Sequence, residues 1–98
     1  MRRRNTLIVT ERARRDLGQA REWLTQAGSG ARGRSRYAAL LAALQDLKTA
    51  PTRWPFGENP NVREHVREGY RFFYEWCETD HSVTILRIYG PFQDRAAL

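Results

Sequence analysis

Hydrophobic and polar positions change their spacing near the middle of the chain. In the first half, apolar residues recur every three or four positions, which is the period of an amphipathic helix. Over residues 70–78 they alternate with polar residues instead, which indicates a strand with two differently exposed faces, and residues 82–89 are typical of a further strand. The pattern therefore predicts an α+β fold in which helices are followed by a sheet.

Two helices are expected before Pro51. Thr10 offers a side-chain oxygen for an N-cap, and the helix that follows carries one apolar stripe until Gly28 ends it. The stripe consists of Ala13, Leu17, Ala20, Leu24 and Ala27. Residues 28–34 contain three glycines and are expected to form a mobile turn, after which Ser35 caps the second helix. Two amphipathic helices joined by a short loop favour an antiparallel helical hairpin.

The strands are expected at residues 6–10, 62–66, 70–78 and 82–89. The first is a short N-terminal strand, and the others form a small antiparallel sheet with the helical hairpin packed on one face. Strand parity assigns two sets of side chains to the two faces. Those expected to face the helices are Phe72, Tyr74, Trp76, Leu86 and Ile88. Those expected on the opposite, open face are Arg71, Arg87 and Tyr89. In the connection before the sheet, Trp54 and Phe56 are expected to pack against the core.

The charge of the chain is large and unevenly placed. Ninety-eight residues form a single domain, residues 1–98, with sixteen arginines, one lysine and a net charge of +6. Residues 1–50 carry eleven basic and four acidic side chains, whereas residues 51–98 carry six basic and seven acidic ones. This excess favours an anionic partner: a nucleic acid, an acidic protein or a negatively charged surface.

Metal and cofactor sites have little support in the sequence. Cys77 is the only cysteine, and His65 and His81 are sixteen residues apart without a repeated ligand spacing. No nucleotide-binding or nucleophile-elbow motif is present, so neither a metal nor a cofactor is expected, although a small nuclease remains possible. No apolar run approaches the length of a membrane span, and we expect no membrane association and a cytoplasmic location.

Arginine side chains are the main candidates for function, and each has two interpretations. The arginines of the first helix are consistent with a solvated helical face or with a surface that attracts an acidic partner. Arg71 could clamp a phosphate or carboxylate with two hydrogen bonds, or it could form an ion pair with Glu64 or Glu75 across the sheet.

Several segments resemble the RelE/ParE superfamily of toxin–antitoxin toxins. They are the Arg-Glu pair at 63–64, the Gly-Tyr-Arg-Phe-Phe-Tyr run at 69–74, the strand at 83–89, the helix opening at 10–17 and the helix exit at 44–51. The resemblance covers nearly the whole chain in the expected order. It implies a small α+β toxin of a type II module that arrests growth, stabilises plasmids and forms a hetero-oligomer with a cognate antitoxin.

Activities diverge within this superfamily. RelE-like members cleave mRNA on the ribosome, and for that activity the resemblance assigns catalysis to Arg71, Arg63, His65 and Tyr89. ParE-like members poison DNA gyrase and are not enzymes. The lysines of RNA-cleaving members are absent here, arginine is a poor proton donor, and Phe92 stands where those members have a second arginine. We therefore expect a ParE-like toxin, with RNA cleavage as the alternative.

The resemblance also suggests two binding surfaces. The open sheet face and the C-terminal end would contact the target through Arg71, Arg87, Tyr89 and Arg95. The antitoxin is expected to cover part of the helical hairpin together with a sheet edge or groove, because extended peptides and amphipathic helices use such surfaces. Trp23 lies off the main apolar stripe and is predicted to contact the antitoxin with Arg14 and Arg21.

Overall fold

Four strands and two helices make up the part of the chain that the computed structural model describes, residues 4–91. In chain order they are β1 (Thr6–Val9), α1 (Glu11–Leu24), α2 (Gly30–Thr49), β2 (Arg63–Arg67), β3 (Tyr70–Cys77) and β4 (Ser82–Tyr89). The strand order in the sheet is β1-β4-β3-β2, and the pairs β2–β3 and β3–β4 are antiparallel. The α+β class and the helical hairpin are confirmed. The sheet is mixed, because β1 runs parallel to β4.

Thr10 links the first strand to the first helix. Its side-chain oxygen accepts a hydrogen bond from the Ala13 amide at 3.1 Å, as expected of an N-cap, and its hydroxyl donates to the Ile85 carbonyl of β4 at 2.9 Å. The helix ends at Leu24, earlier than the predicted stop at Gly28, and the Thr25 hydroxyl donates to the Arg21 carbonyl at 2.6 Å. Ala27 therefore lies beyond the helix and is exposed.

The predicted mobile turn at residues 28–34 is wrong, because α2 already begins at Gly30, and Ser35 lies inside the helix rather than at its start. Gly33 provides the physical reason. A Cβ atom at Gly33 would lie 1.8 Å from the Leu24 carbonyl oxygen, so only glycine permits this approach of the two helices. The glycine-rich segment therefore serves helix packing at Gly33 rather than a long loop.

The core lies between the hairpin and one face of the sheet. Its largest fully buried side chains are Tyr74, Phe72, Leu40, Leu47, Ile85, Ile88 and Val83. The Tyr74 hydroxyl donates to the Pro51 carbonyl at 2.6 Å, which gives the buried phenol its partner, and burial raises the pKa of Tyr74 to about 12. Trp54 and Trp76 pack against this core as predicted, whereas Phe56 remains 51% exposed, contrary to prediction.

A β-bulge in β4 changes the predicted face of one side chain. Phe73 pairs with Arg87 and Tyr74 pairs with Ile85, so Leu86 is the extra residue. The bulge places Leu86 in a second apolar cluster on the open face, although parity without a bulge predicted that it faces the helices. Phe72, Tyr74 and Ile88 do pack towards the helices.

Strand boundaries elsewhere differ from prediction by one residue. β1 ends at Val9, before the capping residue Thr10, and β2 begins at Arg63 instead of residue 62. The turn after β2 is where it was expected: Glu68 and Gly69 both adopt positive φ angles, 53° and 78°. Within residues 4–91, neither helix combines the length and apolar character that crossing a bilayer requires.

Candidate functional site

The open sheet face carries an ion pair between Arg71 of β3 and Glu64 of β2. Arg71 lies opposite Val66 and Glu64 lies opposite Phe73, so the two side chains meet diagonally on one face. The guanidinium donates to Glu64 through its Nε atom and also contacts the carboxylate through Nη2. Of the two ion pairs considered from the sequence, the structure contains the one with Glu64. Arg71 is thus presented on the open face with its charge already partnered.

Aromatic rings surround this ion pair. The Phe73 and Tyr89 rings meet edge to face with centroids 5.6 Å apart, and the Arg71 guanidinium lies 5.5 Å from the Phe73 ring centre. Tyr89 lies opposite Arg71 in the sheet register, so these two candidate residues are brought together. Only 7% of Tyr89 is exposed.

Arg87 lies on the same face, and its side chain extends towards the edge of the sheet next to α1. Its guanidinium lies 4.3 Å above the Tyr89 ring and donates through Nε to the Asp16 carboxylate of α1 at 2.8 Å. This hydrogen bond raises the pKa of Arg87, against a smaller opposing effect of burial. The Arg87 charge is therefore compensated within the fold.

Asp16 was not selected from the sequence as a site residue, yet it organises this edge. Its side chain is almost fully buried and also accepts a hydrogen bond from the Ile88 amide of β4 at 2.9 Å. Since β1 pairs with β4 only as far as Ile85, the Asp16 carboxylate takes up the Ile88 amide where the partner strand has ended. An acidic residue inside the otherwise apolar buried face of α1 is the signal that could have identified it.

His65 and Arg63 lie on the other side of the sheet from Arg71. His65 is opposite Phe72, its ring centre is 4.2 Å from that of Trp54, and its buried Nε2 atom has no hydrogen-bond partner. Burial, followed by the nearby Arg67 charge, lowers the pKa of His65. Arg63 donates to the Trp54 carbonyl at 2.6 Å and lies 4.1 Å above the Phe56 ring.

The four residues considered for RNA cleavage are consequently divided between the two faces. Arg71 and Tyr89 lie on the open face, whereas His65 and Arg63 lie on the face towards the helices. A general acid or base must come within hydrogen-bond reach of the reacting group, and this arrangement separates the histidine from the arginine by the sheet itself. Arg95 and Phe92, the C-terminal candidates, lie outside the described residues.

Trp23 forms one wall of an apolar groove between α1 and the ends of β3 and β4. The indole is 54% exposed, and the groove has a volume of about 550 Å³. The other lining residues are Asp16, Gln19, Ala20, Tyr70, Gly90 and Pro91. A groove of this kind suits apolar side chains from a peptide or helix.

Arg14 and Arg21 are on the opposite flank of α1 from Trp23. Successive helical residues are about 100° apart, so Arg14 and Arg21 share one side of the buried stripe and Trp23 lies on the other. Arg14 donates to the Val9 carbonyl at 3.3 Å, and Arg21 lines a separate cavity with Thr25. The three residues predicted to contact the antitoxin therefore do not form one patch.

The chemistry of the site is that of a charged and aromatic binding face. Guanidinium groups and aromatic rings supply hydrogen bonds, charge and stacking surface, but His65, the histidine considered for proton transfer, is on the far side. Within the described chain, no three His, Cys, Asp or Glu side chains come together as a possible metal site.

Comparison with solved structures places this fold among toxins of toxin–antitoxin pairs. The RelBE2 toxin–antitoxin complex from Mycobacterium tuberculosis matches with a TM-score of 0.64 and 24% identity, over 88% of this chain and 96% of that one. The chromosomal ParDE system from P. aeruginosa matches with a TM-score of 0.69 and 17% identity, over 86% of this chain and 92% of that one. The intact E. coli RelBE complex matches with a TM-score of 0.64 and 18% identity, over 93% of this chain and 99% of that one.

Sequence comparison gives the family. A search of curated protein sequences finds no match. The model of the family described as ParE toxin of type II toxin–antitoxin system, parDE, matches residues 7–90, which include both helices and all four strands except Thr6, the first residue of β1. The chain therefore belongs to the ParE toxin family, within the RelE/ParE superfamily of type II toxins.

Proposed function

We propose that this toxin arrests bacterial growth by poisoning DNA gyrase, without itself being an enzyme. The observation that carries the proposal is the separation of His65 from Arg71 by the sheet. The two guanidinium groups of the open face, those of Arg71 and Arg87, are paired with Glu64 and Asp16, which suits recognition of a protein surface better than proton transfer. Membership of the ParE family supports the same target.

Target contact is assigned to the open face and to the segment that follows it. Arg71, Arg87 and Tyr89 present two guanidinium groups and one ring on connected strands, and Arg95 in the C-terminal segment is proposed to extend this surface. Arginine and tyrosine are enriched where protein interfaces gain most of their binding energy. A partner carboxylate could replace Glu64 on Arg71 with little change in the strand itself.

A gyrase assay tests this target. Purified toxin is expected to inhibit supercoiling of relaxed plasmid and to accumulate cleaved DNA–gyrase complexes, and Arg71→Ala is expected to reduce both effects at least about tenfold, the loss of one interfacial arginine contact. Arg15→Ala is the matched control, because Arg15 is exposed and pairs only with Glu11 on α1. Unchanged supercoiling and no cleaved complex with the wild-type toxin would remove the gyrase assignment.

One observation favours the alternative, a RelE-like ribosome-dependent mRNA endonuclease. Arg71 and Tyr89 are direct neighbours on the open face, and a guanidinium beside a phenol could bind a scissile phosphate and its attacking hydroxyl. In this alternative, His65 and Arg63 would have to act from the other face of the sheet. Primer extension on translated message distinguishes the two functions: codon-positioned cuts that Arg71→Ala abolishes would support cleavage.

Neutralisation is proposed to occur through a cognate antitoxin seated in the Trp23 groove. The structural relatives come from toxin–antitoxin complexes, and the groove offers an exposed apolar side chain beside α1. Arg14 and Arg21 would contact the antitoxin only if its chain crosses α1 to the other flank, since they face away from the groove. Such a wrapped chain would produce a toxin–antitoxin hetero-oligomer.

Co-expression tests the antitoxin surface. The open reading frame beside the toxin gene is expected to restore growth with the wild-type toxin but to lose binding to Trp23→Ala at least about tenfold, as for a buried aromatic anchor. Leu41→Ala is the control, because Leu41 is also apolar and 41% exposed but lies on α2 outside the groove. Equal binding by both variants would contradict the groove as the antitoxin site.

A further inference from the structure

Arginine side chains differ in whether the fold supplies them with a partner. Arginines elsewhere in α1 and on the sheet contact carboxylates, backbone carbonyls or aromatic rings. Within residues 4–91, the side chains of Arg21, Arg32 and Arg34 make no hydrogen bond, ion pair or ring contact, and all three residues are exposed. Apart from Arg4 near the start of the described chain, the unpartnered arginines therefore meet at one place, the end of the hairpin where α1 leads into α2. We call these three residues the hairpin tip.

The close approach at Gly33 fixes the direction of the tip arginines. Gly33 faces α1 and contacts the Leu24 carbonyl, and a helix turns about 100° per residue, so Arg32 and Arg34 emerge on opposite sides of the crossing. Arg34 shares a cavity of about 790 Å³ with Arg21, Thr25 and Gln26. Arg32 borders a second cavity, of about 720 Å³, with Ser35 and Arg36. Rigid backbone thus holds positive charge on both sides of the hairpin.

Negative charge is absent from this stretch of sequence. Residues 23–45 contain three arginines, Arg32, Arg34 and Arg36, and no Asp or Glu. Glu68, which borders the Arg32 cavity, contacts Arg36 instead, with the Arg36 Nε atom 3.6 Å from its carboxylate. Guanidinium groups bind phosphates bidentately, and hydroxyl and amide side chains such as those of Ser35 and Gln26 are common additional phosphate ligands.

We propose that the hairpin tip binds the phosphodiester backbone of duplex DNA. A helix with its side chains is about 10–12 Å across, and the major groove of a duplex is about 12 Å wide. Arginines on the two sides of α2 can therefore reach phosphates on both strands that border one groove. An acidic protein segment fits less well, because the mainly polar lining of the Arg32 cavity offers little of the apolar centre that protein interfaces bury.

This surface is separate from the sheet face to which gyrase binding is assigned. Duplex binding by the toxin alone can be measured without gyrase, so the two proposals fail independently. Because Arg21 is also a predicted antitoxin contact, the test leaves Arg21 in place and changes only the two arginines of α2. Arg32 and Arg34 are exposed, so their replacement is compatible with an intact fold, which circular dichroism checks.

The experiment measures binding of the purified full chain to a fluorescent 20-base-pair duplex by anisotropy between 50 and 300 mM salt. Each phosphate contact contributes about 0.9 to the slope of log affinity against log salt, so R32Q/R34Q is expected to lower that slope by about 2 and to weaken binding at least about tenfold at 0.1 M salt. R12Q/R15Q removes the same charge from the opposite end of α1, where Arg12 and Arg15 already have acidic partners. This control is expected to keep the wild-type slope.

Several results would overturn the proposal. Equal losses of duplex affinity in R32Q/R34Q and R12Q/R15Q would mean that net charge alone attracts DNA. No binding by the wild-type chain at 0.1 M salt would remove the site. Equal or tighter binding to a single-stranded RNA of the same length would contradict the duplex geometry. Binding of a glutamate-rich peptide that R32Q/R34Q abolishes, without binding of duplex DNA, would assign the tip to an acidic protein partner instead.

Discussion

The two faces of the sheet are built from the same strands but are stabilised by different interactions. On the covered face, Phe72, Tyr74 and Ile88 are fully buried against the helices, and packing dominates. On the open face, Arg71 and Glu64 form an ion pair beside the Phe73 and Tyr89 rings. Because side chains alternate along a strand, Arg71 and Phe72 are sequence neighbours that belong to different environments.

This difference separates stability from function. The covered face contributes apolar burial, which is the largest favourable term in folding, and tolerates little change in volume. The open face buries a smaller apolar cluster, formed by Val62, Phe73, Leu86 and Tyr89, so its charged residues can change while the fold persists. A scaffold of this kind can carry different activities on the same sheet, and we propose that the choice between gyrase and mRNA as the target depends on a few side chains such as Arg71 and Tyr89.

The largest expected effect comes from removing a ring of the covered face. Phe72→Ala should lower the free energy of unfolding by about 3–5 kcal/mol, because it removes a fully buried ring and leaves a cavity in the core. Val66→Ala is the matched truncation on the open face, where Val66 is 55% exposed, and should cost less than about 1 kcal/mol. Urea unfolding measures both, and comparable losses would contradict the division between the faces.

The second prediction concerns the edge where the two faces meet. Asp16→Asn should lower the free energy of unfolding by about 2–3 kcal/mol, because Arg87 would lose a buried charged acceptor. Glu11→Gln breaks the exposed pair with Arg15 and should cost about 0.5 kcal/mol or less. If the two substitutions have equal effects in urea unfolding, the Asp16 carboxylate does not stabilise this edge.

Sequence reasoning predicted the class of the fold because helical and strand periodicities are local signals. It located the hairpin, the Thr10 cap and the turn at Glu68, each of which depends on a few adjacent residues. It misplaced the start of α2, because three glycines resemble a loop unless the approach of Gly33 to Leu24 is known. It misassigned Leu86, since a bulge depends on the pairing of two strands.

The candidate site was predictable only in part for a related reason. Parity placed Arg71 and Tyr89 on the open face, and the structure agrees. Which residues neutralise each arginine depends on contacts between distant segments, such as Arg87 with Asp16 across 71 positions. The same holds for Trp23, whose groove is completed by Tyr70 and Pro91 from the other half of the chain.

The third prediction measures how strongly the open-face ion pair is coupled. A double-mutant cycle with Glu64→Gln and Arg71→Gln should give a coupling free energy of about 1 kcal/mol, since both side chains are mostly buried but border solvent. Each single change should therefore cost far less than Phe72→Ala. Additive effects in urea unfolding would show that the pair contributes nothing to stability and that Arg71 is free for a partner.

The smallest expected effect is a pH dependence that the covered face owes to His65. Burial between Trp54 and Phe72 lowers the pKa of His65 below its ordinary value of 6.5, so the unfolded chain takes up the proton first as the pH falls. The free energy of unfolding should therefore decrease as the pH falls below 6.5 and reach a plateau below the folded-state pKa. His65→Phe should remove this component, whereas His81→Asn, in a turn with φ of 50°, should retain it. Urea midpoints at pH 7.5 and 5.5 provide the measurement, and an unchanged difference between these midpoints in His65→Phe would assign the acid sensitivity to other groups.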